Sequence, residues 1–454
     1  MDIYLDWQHD FLGATMSSHG KWSWLHSPIT GGVLLVIAAT TALFWANLAP
    51  TLYHHAWHDP LFSVSSGFSA TIYSINLHQI VNEFLMAIFF FFIGLEMKRE
   101  LLDDDLSSIK KAALPLFSAL GGVIFPASIY YFFNVGTDTV NGWGIPMATD
   151  IAFALGVLAM VGSRAPVTLK IFLSALAIGD DLMAVIVIAI FYTEQIFVNE
   201  LLVGFLGLVI LAIANKVGVR NRLLYYSIGL VIVWISFLAS GVHATIAGVA
   251  VAFTIPSRRE ISMDSYLNQT KELLSGLENE RHSQADVLTK HAISSLREIK
   301  VLSYQASNPL QLKEEALHPI SALFIVPLFA LGNAGVIVDD SMLAELTNPI
   351  VLGIAAGLII GKPLGIFLFT KLLTILNLGQ LPLGVSWTHI IGAGFLAGMG
   401  FTMSLFITDL AFSDPEQQII AKVAVLLASI ISGILGYLIL MSSPVIEKHN
   451  ELNI

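Results

Sequence analysis

Asp180 and Asp181 stand midway along the apolar run LKIFLSALAIGDDLMAVIVIAIFY. Neighbouring helical residues point about 100° apart, so both carboxylates can border one cavity without forming a flat clamp. Two ionised carboxylates repel in a low dielectric. A hard cation takes oxygen ligands and favours the doubly ionised pair, and a proton neutralises the same oxygens. Such a pair can exchange a cation for a proton. The bland reading is two acids buried against basic partners.

Three more features belong with that pair. Asp150 follows Thr149 in GWGIPMATDIAFALG, where Gly142, Gly144 and Pro146 weaken a continuous helix. A broken helix exposes backbone groups that must line a cavity, and Thr149 and Asp150 would add oxygens or offset a helix-end dipole. The bland reading is a kink with a capping Asp. Lys362 is a cation in mid-run, in GIAAGLIIGKPLGIFLF, beside Pro363. A buried Lys needs a carboxylate partner, and Asp180 and Asp181 are the candidates. The pair is either permanent or opens when a cation binds. Gly353, Gly357, Gly361 and Gly365 recur every four residues around it, one smooth face for close helix packing. The run IIGAGFLAGMGFTMSLF is the second glycine-interrupted one, unless its glycines only pack helices, which periodicity does not separate. Paired interrupted helices point to an inverted-repeat transporter with a midplane site.

These residues must be carried by membrane spans. Of the 454 residues 12% are charged and 56% apolar or aromatic. Mean hydropathy is +0.77. Soluble domains run near a quarter charged, so an ordinary cytosolic enzyme, a disordered chain and a nucleic-acid binder are excluded. With no Cys there are no disulfides or thiolate sites. The net charge of −11 argues only weakly against anionic partners. Spans of about 20 residues fit about twelve runs. They are 31–48, 77–102, 112–133, 143–161, 167–192, 198–215, 222–238, 240–256, 318–336, 347–374, 385–408 and 417–442. The expected fold is an all-α polytopic membrane protein.

Lys and Arg set the orientation. The loops 49–76, 134–142, 193–197, 337–346 and 409–416 contain neither, and the alternate loops hold nearly all of them. The positive-inside rule then puts both termini in the cytoplasm. Residues 1–30 read as a retained interfacial leader, 51–76 as an external segment with a short hairpin, 257–317 as a polar cytoplasmic insert or regulatory lid, and 443–454 as a tail. Glu96 and Glu100 lie four residues apart at the inner end of the second run, where they either concentrate cations or simply charge a helix end. Glu83 is farther out on that run. His243 and His318 titrate near neutral pH or are bystanders. His54, His55 and His58 are possible metal ligands without an acid or Cys framework.

ATDIAFALGVLAMVGSR, FFFFIGLEMKRELL, SGVHATIAGV, LFALGNAGV, GKPLGI, GMGFTMSLFI and the Asp180–Asp181 run together resemble the NhaA family of bacterial sodium/proton antiporters. The likeness covers nearly the whole chain outside 257–313. It implies NhaA-like inverted repeats, with the fourth and eleventh spans broken and crossing. It implies that Asp180 and Asp181 carry sodium or lithium on one stroke and protons on the other, beside Thr149 and Asp150. It implies that Lys362 balances charge and pairs with Asp180. Glu96, Arg99, Glu100, Glu314 and His318 match a cytoplasmic funnel tied to pH activation, and His243 a histidine that alters pH response. The segment 51–76 matches a hairpin through which members form homodimers. The resemblance also implies the bacterial inner membrane, no cofactor and no enzymatic activity.

Two departures stand out. Glu83 occupies a position where an Asp is familiar, and the insert 257–313 is longer than in the best-known form. Other classes remain as rivals. A cation-coupled organic-solute symporter would use the same broken helices, and a passive channel would conduct without proton coupling. An intramembrane aspartyl protease needs aspartates from two helices in YD and GxGD contexts, which do not occur here.

Overall fold

The computed structural model describes residues 28–65, 72–102, 109–193, 196–277, 288–338 and 345–443. Most of the leader 1–30 and of the tail 443–454 lies outside them. The described chain is almost wholly helical, because backbone polar groups within lipid must be satisfied inside each segment.

The helices follow the apolar runs. α1 (Pro28–Leu48) leads into a short α2 (Pro50–His58). Proline suits the first turn of a helix, where its missing N–H bonds to nothing. The start of the external segment is therefore helical, and the hairpin is confined to β1 (Pro60–Ser65) and β2 (Ile72–Asn76). These pair antiparallel, with Val64 opposite Tyr73 and Ser63 opposite Ser74. The capping box of Asn76 and Gln79 then starts α3 (Leu77–Leu102).

α4 (Ile109–Asn134) precedes α5 (Val140–Arg164), α6 (Val167–Phe191), α7 (Val198–Val217) and α8 (Leu223–Ser240). α9 (Ala244–Thr254) occupies the expected run 240–256 but has only 11 residues. At 1.5 Å per residue it is about 16 Å long, half a bilayer core. Gly241, at φ 79°, ends α8 in the left-handed region that disfavours a side chain, so the run cannot continue as one rod.

The polar segment after it forms an antiparallel pair, α10 (Met263–Leu277) and α11 (Lys290–Ala306). α12 (Pro309–Asn333) begins earlier than the apolar run at 318, because Asn308 caps Leu310 N–H and Pro309 takes the first turn. α13 (Pro349–Ile375), the bent pair α14 (Trp387–Ala397) and α15 (Phe401–Ala411), and α16 (Pro415–Met441) complete the chain. Among the described residues ten helices are long and apolar enough to cross a membrane, and the pair α14–α15, bent by 45°, makes an eleventh.

The glycine face of α13 lies against α4. A Cβ added at Gly361 would sit 2.8 Å from Pro126 Cα, so only hydrogen fits. That close approach brings the side chain of Lys362 into the protein's centre. A π-helical turn over Gly357–Gly361 ends immediately before it.

Candidate functional site

α5 is not one helix. A 3-10 segment Val140–Met147 gives way to extended backbone at Ala148–Asp150, and an α-helix resumes at Ile151. Pro146 and the flanking glycines explain the break. α14 and α15 break at Gly398–Gly400. The two breaks touch. Asp150 N–H donates to Met399 C=O at 2.8 Å, and Ser404 Oγ donates to Ile145 C=O at 2.7 Å. Each break thus satisfies backbone groups that the other exposes.

The crossing leaves helix ends in the interior, and charged groups meet them. Asp150 Oδ1 accepts from Phe153 N–H at 3.0 Å, capping its own helix. Its Oδ2 accepts from Thr402 N–H at 3.2 Å and from Thr402 Oγ1 at 2.5 Å, at the start of α15. One carboxylate therefore faces two helix N-termini, the positive ends of their dipoles. Lys362 Nζ donates to Met147 C=O, at the end of the 3-10 segment. It is a positive group at a negative end.

Lys362 also pairs with Asp180. Nζ lies 2.8 Å from Asp180 Oδ2, and both side chains are 0% exposed. The Thr149 hydroxyl sits 2.7 Å from Asp180 Oδ2 and 2.8 Å from Ala397 C=O. Asp181, one residue along α6, is just as deeply buried. Among the described residues its Oδ1 has no hydrogen-bond partner, and neither has Asp180 Oδ1. Each aspartate thus keeps one oxygen that no described protein donor reaches. The structure brings Asp180, Lys362 and Thr149 together and ties Asp150 into the same crossing.

The inner charges form a second group. Arg99 Nη2 lies 2.6 Å from Glu100 Oε1, and Nη1 lies 3.3 Å from Glu314 Oε1. That joins the end of α3 to the start of α12. Lys98 Nζ donates to Phe253 C=O and Ile255 C=O, capping the end of α9. Glu96 lies one turn inward of Glu100 on α3 without an ion pair among the described residues. His318 meets the Phe92 ring at 5.9 Å. His243 stands at the N-terminal end of α9, apart from this group, without a side-chain capping bond, its ring 5.7 Å from Phe406 of α15. Glu83 is half-buried within a π-helical turn over Ile80–Leu85.

The histidines of α2 do not converge on a metal among the described residues. The His54 and His58 rings stack at 4.6 Å and the His58 and His78 rings at 5.1 Å, while His55 Nδ1 meets Asp59 at 3.0 Å. Among the described residues no group of three or more His, Asp or Glu is placed to hold a metal.

Sequence reasoning missed several groups. Thr402 and the Met147 carbonyl are ordinary in sequence and acquire meaning only where the breaks cross. Asp409 and Lys422 form an ion pair of 2.7 Å near the hairpin face. The signal that was available is that Lys422 stands in an apolar run on the side lacking basic loops, so a carboxylate had to be near.

Comparison with known proteins agrees with this geometry. Residues 23–440 match the family model described as Na+/H+ antiporter 1. The chain is 88% identical over 438 residues to "Na(+)/H(+) antiporter NhaA 1" of Psychromonas ingrahamii, covering 96% of this chain and all of that protein. It is 44% identical over 433 residues to "Na(+)/H(+) antiporter NhaA" of Wolinella succinogenes, 94% of each chain. It is 45% identical over 435 residues to the protein of that name from Helicobacter pylori strain G27, 95% of this chain and 96% of that one. A match along almost the full length, over both broken helices and the residues between them, places this chain in the Na+/H+ antiporter 1 (NhaA) family.

Proposed function

We propose that this protein exports sodium, or lithium, in exchange for protons by alternating access across the bacterial inner membrane. The observation that carries the reading is Asp181, a fully buried carboxylate with an unpartnered oxygen beside the Lys362–Asp180 pair. A lone carboxylate at that depth is too costly to remain bare, so it holds a proton or a cation. Family membership supports the choice of sodium and protons.

The cycle follows from that competition. At rising internal pH the Asp180, Asp181 and Lys362 cluster loses protons. Sodium then enters from the cytoplasm and takes oxygens of Asp181, Asp180 and Thr149. The two halves of an inverted repeat rock about the crossing, and sodium leaves outside. Protons reload the acids and return inward. Through the cycle Asp150 offsets two buried helix N-termini and Lys362 the end of the 3-10 segment at Met147, so the crossing stays intact while the site changes charge. One cation moving against more than one proton makes exchange electrogenic, and the membrane potential helps to expel sodium.

Alkaline activation falls to the inner group Glu96, Arg99, Glu100, Glu314 and His318, with His243 tuning the response. The basic loops put both termini in the cytoplasm. The hairpin β1–β2 is the contact between the protomers of a homodimer. No cofactor is needed, since the ions are the substrates.

The test uses liposomes holding a pH-sensitive dye and an imposed acid-inside gradient. Sodium is added outside at several pH values. Sodium-dependent dequenching that is lost in Asp181→Asn supports the reading. No response to sodium, lithium or potassium at any pH overturns it in favour of a solute symporter.

A further inference from the structure

We propose that Asp409 and Lys422 form a latch that closes the path from the hairpin face to the Asp180–Asp181 site and opens to let ions pass. The proposal rests on the alternating-access reading above. Lys422 Nζ of α16 lies 2.7 Å from Asp409 Oδ1 of α15, and the side chains are only 12% and 13% exposed. Asn82 Nδ2 of α3 donates to Asp409 Oδ2 at 3.3 Å. Asn82 and Asn333 of α12 also bond reciprocally, at 2.9 and 3.2 Å. His78 Nε2 lies 3.0 Å from Asn333 Oδ1. Four helices, none adjacent in this contact except α15 and α16, are thus pinned by one ion pair and one amide pair.

α15 connects the latch to the crossing. Thr402, bound to Asp150, and Asp409 are seven residues apart, so they share one face about two turns along the helix. Any movement of α15 at the crossing displaces Asp409 from Lys422. A nearly buried ion pair is costly to break singly, so it holds this face shut until that movement occurs. Water and passing cations can then serve the freed carboxylate.

The chain has no cysteine, so one introduced thiol reports alone. Ala330, 0% exposed on α12, lies in the core shared with Phe406 of α15, about one turn inward of Asn333. In proteoliposomes Ala330→Cys is treated with a membrane-impermeant maleimide on the hairpin side. Labelling should be slow, and about tenfold faster when Lys422→Gln or the isosteric Asp409→Asn is added, a factor typical of coupling between contacting groups. Lys422→Arg, which keeps the pair, should stay slow. Equal labelling in all of these variants overturns the latch. Labelling needs no turnover, so equal labelling with sodium–proton exchange intact refutes the latch alone. Variant-dependent labelling without any exchange in the unmutated protein refutes antiport and leaves the closure itself standing.

Discussion

Lys362 Nζ stands 2.8 Å from Asp180 Oδ2 with both side chains removed from solvent, on helices that lie far apart in sequence. Neither group is tolerable alone at that depth. Together they neutralise one carboxylate of the adjacent pair and leave the other, Asp181, without an ion pair among the described residues.

Lys362→Met should therefore destabilise the protein, because removing one partner strands a buried charge. The cost for such cases is about 3–5 kcal/mol. Thermal unfolding in detergent should show a clear drop. The double variant Asp180→Asn with Lys362→Met should recover much of it. A single variant as stable as the parent would mean that the pair is not held in solution.

Asp181→Asn should behave in the opposite way. It keeps shape and removes a group that is tolerable at that depth only with a proton or a cation, so thermal stability should be unchanged or higher while sodium-driven proton movement disappears. Retained exchange would reject Asp181 as the carrier.

Asp150→Ala should cost about 1–2 kcal/mol for the helix cap, with a further loss because the carboxylate also meets Thr402 at the second helix. Asp150→Asn keeps one acceptor oxygen, replaces the other by a donating NH2 and drops the charge. It should fold and show slowed exchange. The paired comparison of melting temperature and initial rate separates capping from charge.

Competition between sodium and a proton for one carboxylate fixes the sign of the pH effect on affinity. Where the site is protonated, each unit fall in pH should raise the apparent KM for sodium about tenfold per competing proton. The maximal rate at saturating sodium should move much less. An apparent KM that does not change with pH would place sodium and protons on separate groups.

His58 carries a second pH effect, outside the spans. Partial desolvation against the His54 and His78 rings, and then the charge of His54, lowers the pKa of the exposed His58, with Lys422 acting the same way and the His54 backbone and Asp409 opposing. A lowered folded pKa means that the folded segment binds fewer protons than the unfolded one. Stability is then kept above the ordinary histidine pKa of about 6.5 and lost as pH falls below it. Amide protection over 50–65, taken relative to the intrinsic exchange rate at each pH, should fall between neutral and mildly acidic pH, and His58→Gln should flatten that change.

Much of this protein is legible without coordinates. Long apolar runs must become helices in lipid, so the all-α membrane fold follows from residue type alone, while the glycine clusters leave open whether the eleventh run is broken or only closely packed. Ionised residues in such runs are costly, which singled out Asp150, Asp180, Asp181 and Lys362. Local pattern does not reach further. Periodicity could not show that the run at 240–256 yields only 11 helical residues, since a positive-φ glycine ends one rod before the next begins. Nor could it show that Asp150 serves two helix ends, that Met147 offers its carbonyl to Lys362, or that Asp409 finds Lys422. Those partners sit on different helices, and only the packing of one helix against another decides which buried charge is answered and which, as at Asp181, is left open.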